Sequence, residues 1–252
     1  MNYPLIKPKY YFSLFGDILN FIKKPGLEKN LEKTTRIKVY DTIGLYVLKI
    51  IFLIPLVVFF AVVYDPENVQ SDRMMDRFSP FVFLMVGGFI LPLVEEVAFR
   101  LSLRFRPIYF ALSSSVFAYY ILTKFVFSTK ISAVDESFML RLTISVLLGV
   151  VLYPLINYNA LKVALTSLWE RHFRIIYYTS CIVFAWIHIN KYELNTLNIL
   201  LVPILTLPQL MSAVINGYTR VSFGFQYPLL FHISNNLIGI GLTFLPLGDM
   251  IF

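Results

Sequence analysis

The chain has 252 residues, of which 58% are apolar, 17% aromatic and only 15% charged. That charged share is well below the quarter usual in soluble domains, which argues against a water-soluble globule. The net charge of +7 is a poor nucleic-acid signature, because eight of the 22 Lys and Arg lie in the first 43 residues (Lys7, Lys9, Lys23, Lys24, Lys29, Lys33, Arg36 and Lys38), the pattern of a segment beside anionic lipid headgroups.

Residues 1–42 are expected to form a cytoplasmic N-terminal segment. Within it, Phe12, Phe15, Leu19 and Ile22 recur at helical spacing ahead of Lys23-Lys24-Pro25-Gly26, which predicts an interfacial helix over 10–22 stopped by Pro and Gly. A frayed polar tail is the alternative. Apolar runs of spanning length then follow at 43–64, 80–105, 107–127, 138–157, 174–192, 196–216 and 227–247. The stretch from Tyr158 to His172 is either interfacial or part of a further span. Residues 43–252 are therefore expected to form a single all-α polytopic membrane domain, a bundle of about seven or eight transmembrane helices around an intramembrane polar cavity. Asp65, Glu67, Asp72 and Asp76 make the 65–79 loop acidic, whereas Arg104, Arg106, Lys162, Arg171 and Arg174 mark later basic loops. The positive-inside rule thus places the N-terminus in the cytoplasm, and the short loops suit a bacterial inner membrane.

Several polar residues interrupt these apolar runs. An ionisable group deep in a bilayer costs at least ~2.5–3.5 kcal/mol on insertion scales, so it pairs, faces a wet cavity, or works. The second run contains Leu93-Val94-Glu95-Glu96-Val97-Ala98-Phe99-Arg100. Glu96 and Arg100 share a helix face at a spacing of four and can pair, whereas Glu95 lies well round the helix and stays free for chemistry. The bland reading is that both acids mark the membrane boundary. In the fifth run His188 follows Phe184 by one turn; in the last, His232 shares a face with Asn236, and Asn235 is a weaker candidate. Each histidine taken singly is more often a buried hydrogen-bonding group than a catalyst.

Together, Glu95, His188, His232 and Asn236 supply a carboxylate base, two imidazoles and an amide within the membrane. That set can activate water against a peptide bond and hold the resulting oxyanion. The single cysteine, Cys181, lies two turns from His188 and reads as a core residue, and no Gly-x-Ser-x-Gly elbow occurs.

With these residues in hand, the sequence resembles the CPBP intramembrane proteases, which include the type II CAAX prenyl endopeptidases and the Abi-type bacteriocin-processing and immunity proteins. Glu95-Glu96-Val97-Ala98-Phe99-Arg100 fits that family's Glu-Glu-x-x-x-Arg, Phe184 to His188 fits Phe-x-x-x-His, and His232 to Asn236 fits His-x-x-x-Asn/Asp, in family order. Gly217 to Arg220 resembles the family's approach to its last motif. The resemblance implies that Glu95 activates water beside His188, that His232 and Asn236 form the oxyanion hole, and that Glu96, Arg100 and Phe184 support them. It also implies a cavity open towards the cytoplasm, a membrane-associated peptide or protein substrate, and hydrolysis with no metal and no cofactor. Two features depart from the pattern: Leu101 stands where a Gly often follows the motif arginine, and Glu95 and His188 are 93 positions apart with two extra apolar runs between them. Glu95 and His188 each lie late in their runs, so they meet only if the helices continue to about Phe105 and Tyr192.

Two further readings use the same residues. One is a metal-dependent membrane hydrolase with Glu95, His188 and His232 as ligands, although no His-Glu-x-x-His is present. The other is a non-catalytic immunity protein or transporter, since intramembrane Glu and His also mark proton and substrate pathways.

Overall fold

A computed structural model describes residues 4–27, 32–64, 66, 69 and 74–244. The described residues are all-helical, without strands. Asp65, Glu67 and Asp72 of the acidic loop, Lys29 of the basic segment and positions 245–247 of the last apolar run lie outside the described residues.

The first four apolar runs are single rods: α2 (Thr35–Val62), α3 (Pro80–Leu103), α4 (Pro107–Val126) and α5 (Phe138–Asn157), all long and apolar enough to cross a membrane. Their outward faces are apolar. On α5, Leu147, Val150 and Val151 are 55%, 63% and 56% exposed, and Ile50, Ile51 and Ile54 of α2 are similarly uncovered. A ring of bare aliphatic side chains has its stable place in hydrocarbon, where helices alone satisfy the backbone. The chain is a helical membrane protein.

The remaining runs differ from expectation. The 174–192 run is the second half of α6 (Asn159–Trp186), a 28-residue helix whose backbone leaves helical geometry at His172 (φ −109°, ψ 15°), and its end is a 3-10 turn, Ile187–Lys191. The 158–172 stretch is thus helix, set off by a kink. The 196–216 run is not one helix. It breaks into Thr196–Leu200, Val202–Leu205 and α7 (Leu207–Ser222), because Pro203 and Pro208 each occupy the start of a new helix, where a missing N–H costs nothing. The last run is α8 (Gln226–Thr243).

Helix α7 is the most enclosed element, buried continuously from Ile215 to Ser222. It packs on α6, α8 and α2, while the α4–α5 hairpin lies against α3. Ala98 and Phe99 of α3, Tyr177 and Phe184 of α6 and Val221 of α7 belong to one core cluster. The N-terminal helix α1 (Pro8–Lys23) packs on α2 and α7 and ends just before Pro25-Gly26. Its inner face is Leu14 and Ile18, with Phe15 and Ile22 of the predicted stripe alongside, while Phe12 is 76% exposed. Polar bonds hold this helix in place. Lys33 Nζ reaches Asp41 at 2.7 Å and Asp17 at 3.1 Å, the Tyr10 hydroxyl donates to Asp41 at 2.5 Å, and the Tyr178 hydroxyl donates to the Ile22 carbonyl.

Candidate active site

The site is built where α3, α6, α7 and α8 meet. Helix α3 is not regular there. It is α-helical over Pro80–Met85, π-helical over Val86–Ile90, and α-helical again over Leu91–Phe99 before a 3-10 turn at Leu101–Leu103. In the bulge the Leu91 N–H bonds the Val86 carbonyl, and Pro92 has no N–H to give. The Gly87 carbonyl accepts instead from Asn236 Nδ2 on α8, at 2.9 Å. One amide hydrogen of Asn236 is therefore committed to backbone, and the second remains for a ligand.

Past the bulge come the two acids, in different surroundings. Glu96 is fully buried. Its Oε1 lies 2.8 Å from His232 Nδ1 and 2.9 Å from Asn216 Nδ2, which donates to it. Arg100 Nη1 stands 3.7 Å from the same oxygen, and its guanidinium lies over the Phe184 ring at 3.7 Å from the centroid. Glu95 is partly accessible, at 18% side-chain exposure, and its Oε2 lies 3.6 Å from His232 Nε2 and 3.9 Å from His188 Nε2. The two neighbours divide as their helical phases require: Glu96 is enclosed and ion-paired, Glu95 faces both imidazoles.

His188 sits on the 3-10 turn at the end of α6, with Nδ1 2.7 Å from the Phe184 carbonyl and its ring 4.7 Å from the Phe184 ring. A carbonyl only accepts, so Nδ1 of His188 carries the proton and Nε2 presents a lone pair. An ionised Glu96 imposes the same tautomer on His232. The Nε2 atoms of His188 and His232 thus both face Glu95 Oε2, at 3.9 and 3.6 Å. His232 donates from Nε2 only as imidazolium.

The helices reach one another by shorter extensions than the sequence requires. The rod carrying Glu95 runs on to Leu103 and that carrying His188 to Lys191, and neither goes further. Arg220 of α7 closes the end of α3, donating from Nε to the Arg100 carbonyl at 3.0 Å and from Nη2 to the Leu101 carbonyl at 2.7 Å. Gly217, one turn earlier, lets α7 meet α6, since a Cβ there would lie 2.5 Å from Tyr177 Cε2. The Gly-x-x-Arg pattern thus has a packing and capping basis.

Asn216, Lys49, Lys191 and Tyr120 are site neighbours that the sequence reading passed over. Lys49 lies in the middle of α2 and donates to Asn235 Oδ1 at 2.5 Å. Lys191 and the Tyr120 hydroxyl both lie within electrostatic reach of Glu95, and that hydroxyl is buried without a hydrogen-bond partner, like Glu96 Oε2 and Asn216 Oδ1. Asn216, Lys49 and Lys191 are polar residues in apolar runs, the signal that singled out Glu95. Cys181 is buried in the α3–α6–α7 core. No family model, curated protein or solved structure matches the chain.

Proposed function

We propose that the protein is an intramembrane endopeptidase that hydrolyses a peptide bond of a membrane-associated substrate with water activated by Glu95 and histidine, independently of metal. The observation that carries this reading is the approach of one partly accessible carboxylate to two imidazole Nε2 atoms, at 3.6 and 3.9 Å, inside a helical membrane protein. Glu95 or His188 takes a proton from water as its oxygen attacks the carbonyl carbon. Protonated His232 and the second N–H of Asn236 stabilise the oxyanion, and the proton then passes to the leaving amine as the C–N bond breaks. Glu96 holds His232 in orientation, while Arg100 balances Glu96. The motif order that resembles the CPBP proteases supports the same assignment.

In this reading α6, α7 and α8 also cross the membrane, for a total of about seven spans with the N-terminus cytoplasmic in a bacterial inner membrane. Their lower apolarity follows from position: helices in the middle of a bundle turn polar groups toward one another rather than to lipid. The test is cleavage of a membrane-tethered peptide library by purified protein in liposomes, comparing wild type with Glu95→Gln, with and without chelator. Cleavage that needs Glu95 and survives chelation is expected; cleavage lost to chelator would replace this reading with a metallohydrolase, and wild-type turnover by pure Glu95→Gln protein would end it.

A further inference from the structure

Helix α1 closes a cavity that Glu95 and the two imidazoles do not border. About 230 Å³ in volume, it is lined by α1 between Phe15 and Ile22, by α2 between Leu45 and Phe52, and by α7 between Leu207 and Ile215. The charged residue of this lining, Lys49, turns its ammonium to Asn235 Oδ1 at 2.5 Å, which leaves its methylene stem to the cavity. An apolar void of this kind takes an apolar guest or stays dry. Smaller than the ~300–1,000 Å³ of pockets for drug-sized ligands, it suits one slim hydrocarbon chain.

The cavity lies where a lipid tail lies. Helix α1 crosses one end of the bundle: the Tyr10 hydroxyl donates to Asp41 near the start of α2, Phe21 packs edge-on against Tyr218 near the end of α7, and the Tyr178 hydroxyl donates to the Ile22 carbonyl. The lining segment of α2 begins beyond Asp41 and runs ~10 Å into a helix long and apolar enough to span the membrane, so the cavity follows the direction of the acyl chains. It opens sideways, since Phe52 and Leu207 on its border are 49% and 37% exposed and adjoin the bare aliphatic face of α2. A basic pair stands at the headgroup end. Lys23 follows Leu19 of the lining by four residues and shares its helix face, with Lys24 beside it; both are exposed, and among the described residues neither forms an ion pair within 4 Å. Asp17, the acid on α1, is taken by Lys33 at 3.1 Å. A guest that satisfies both features joins an anionic head to an aliphatic tail.

We infer that this cavity is a binding site for an anionic phospholipid of the leaflet on which α1 lies, with one acyl chain entering between α2 and α7 and the phosphate resting on Lys23 and Lys24. The bound lipid seals α1 to the bundle. The site stands apart from the endopeptidase reading and holds whether or not the chain cuts peptides.

The full chain in neutral detergent is titrated with dioleoyl phosphatidylglycerol or dioleoyl phosphatidylcholine, and bound lipid is counted by native mass spectrometry. One phosphatidylglycerol is expected to bind saturably, about 10- to 30-fold tighter than phosphatidylcholine, the order set by two lysines beside one anionic headgroup. Replacing both lysines, Lys23→Gln with Lys24→Gln, should bring the two lipids to within about threefold, and Lys23→Arg with Lys24→Arg should keep the preference. Met211→Trp, which fills the cavity from α7, should weaken both lipids about tenfold or more; Leu210→Phe repeats the test with a smaller change of volume should the Trp variant fail to fold. Equal affinity for the two lipids, a preference that survives the double glutamine variant, or phosphatidylglycerol binding undiminished in a folded cavity-filling variant overturns the site. A dimer that the filling variant dissociates, with no lipid bound to wild type, would assign the cavity to a second copy of the chain and overturn it equally.

Discussion

Glu96 and His232 are 136 positions apart in the chain, yet Glu96 Oε1 and His232 Nδ1 lie 2.8 Å apart in a fully buried setting. The bond fixes the ring, leaves Nε2 facing Glu95, and makes the second acid the electrostatic partner of one imidazole rather than a spare base. Glu96→Gln keeps the shape and an accepting oxygen but removes the charge. The expected outcome is a fall in kcat of about 10²-fold or more with little change in KM, together with lower thermal stability, because Arg100 is then left as an uncompensated buried cation at a cost of about 3–5 kcal/mol. Kinetics on the folded fraction, alongside thermal unfolding in detergent, separate the two effects. Unchanged kcat would remove Glu96 from the mechanism.

Asn236 is predicted to matter for stability as well as chemistry, because the π-bulge leaves the Gly87 carbonyl dependent on it. Asn236→Ala orphans that carbonyl, with an expected loss of about 1–3 kcal/mol of stability. Asn236→Asp does not rescue it, since a carboxylate has no N–H to donate. Chemical denaturation of both variants in detergent is the check, and wild-type stability in either would show that the bulge holds without this bond.

Much of this architecture is legible in the sequence, for identifiable reasons. The 138–157 run matches α5 residue for residue because a run this apolar, even with Arg141, Ser145 and Pro154 in it, leaves the backbone no alternative to a helix in lipid. Glu95, His188 and His232 were found because ionisable groups in apolar runs are costly enough to demand a reason. Polar residues in apolar runs include Lys49 and Asn216 as well, but neither belongs to a recognisable spacing pattern, and only the packing shows that Lys49 bonds Asn235 on α8 and Asn216 bonds Glu96 on α3. The 196–216 run misled because its hydropathy is continuous while Pro203 and Pro208 interrupt its backbone. Phe15 and Ile22 of the predicted stripe pack beside Leu14 and Ile18 while Phe12 stays exposed, because helical periodicity gives a face but not which of its residues the neighbouring helices cover.

Gly217 tests the close approach of α6 and α7. A methyl group at this position would lie 2.5 Å from Cε2 and 3.3 Å from Cδ2 of Tyr177, a fully buried ring whose hydroxyl donates to the Val214 carbonyl at 2.9 Å. The ring cannot swing aside without giving up that bond. Gly217→Ala is expected to cost about 1–3 kcal/mol through overpacking, and Tyr177→Leu in the same chain should recover part of it. A double-mutant cycle by thermal unfolding measures the coupling; strictly additive effects would show that the two residues do not press on each other.

Asp135 gives a pH dependence outside the membrane spans. In the loop before α5 its carboxylate accepts from Ser137, by hydroxyl at 2.6 Å and N–H at 3.0 Å, from the Thr129 hydroxyl at 2.8 Å, and from Arg141 Nη2 at 3.0 Å. The Ser137 bonds first, then those from Thr129 and Arg141, hold its pKa well below the ordinary 3.8. Because the folded value is depressed, the folded state binds this proton less readily than the unfolded chain. The stabilisation is therefore present above about pH 4 and is lost as pH falls toward the folded value. Asp135→Asn should lower the unfolding temperature by the same amount at pH 6 and pH 5, and by progressively less at pH 4 and pH 3. Arg141, fully buried and also bonded to Ser137, Tyr119, Thr123 and the Ala133 carbonyl, keeps the loop in place in both proteins. A difference between wild type and variant that stays constant across this range would mean that the Asp135 charge does not contribute to holding the loop.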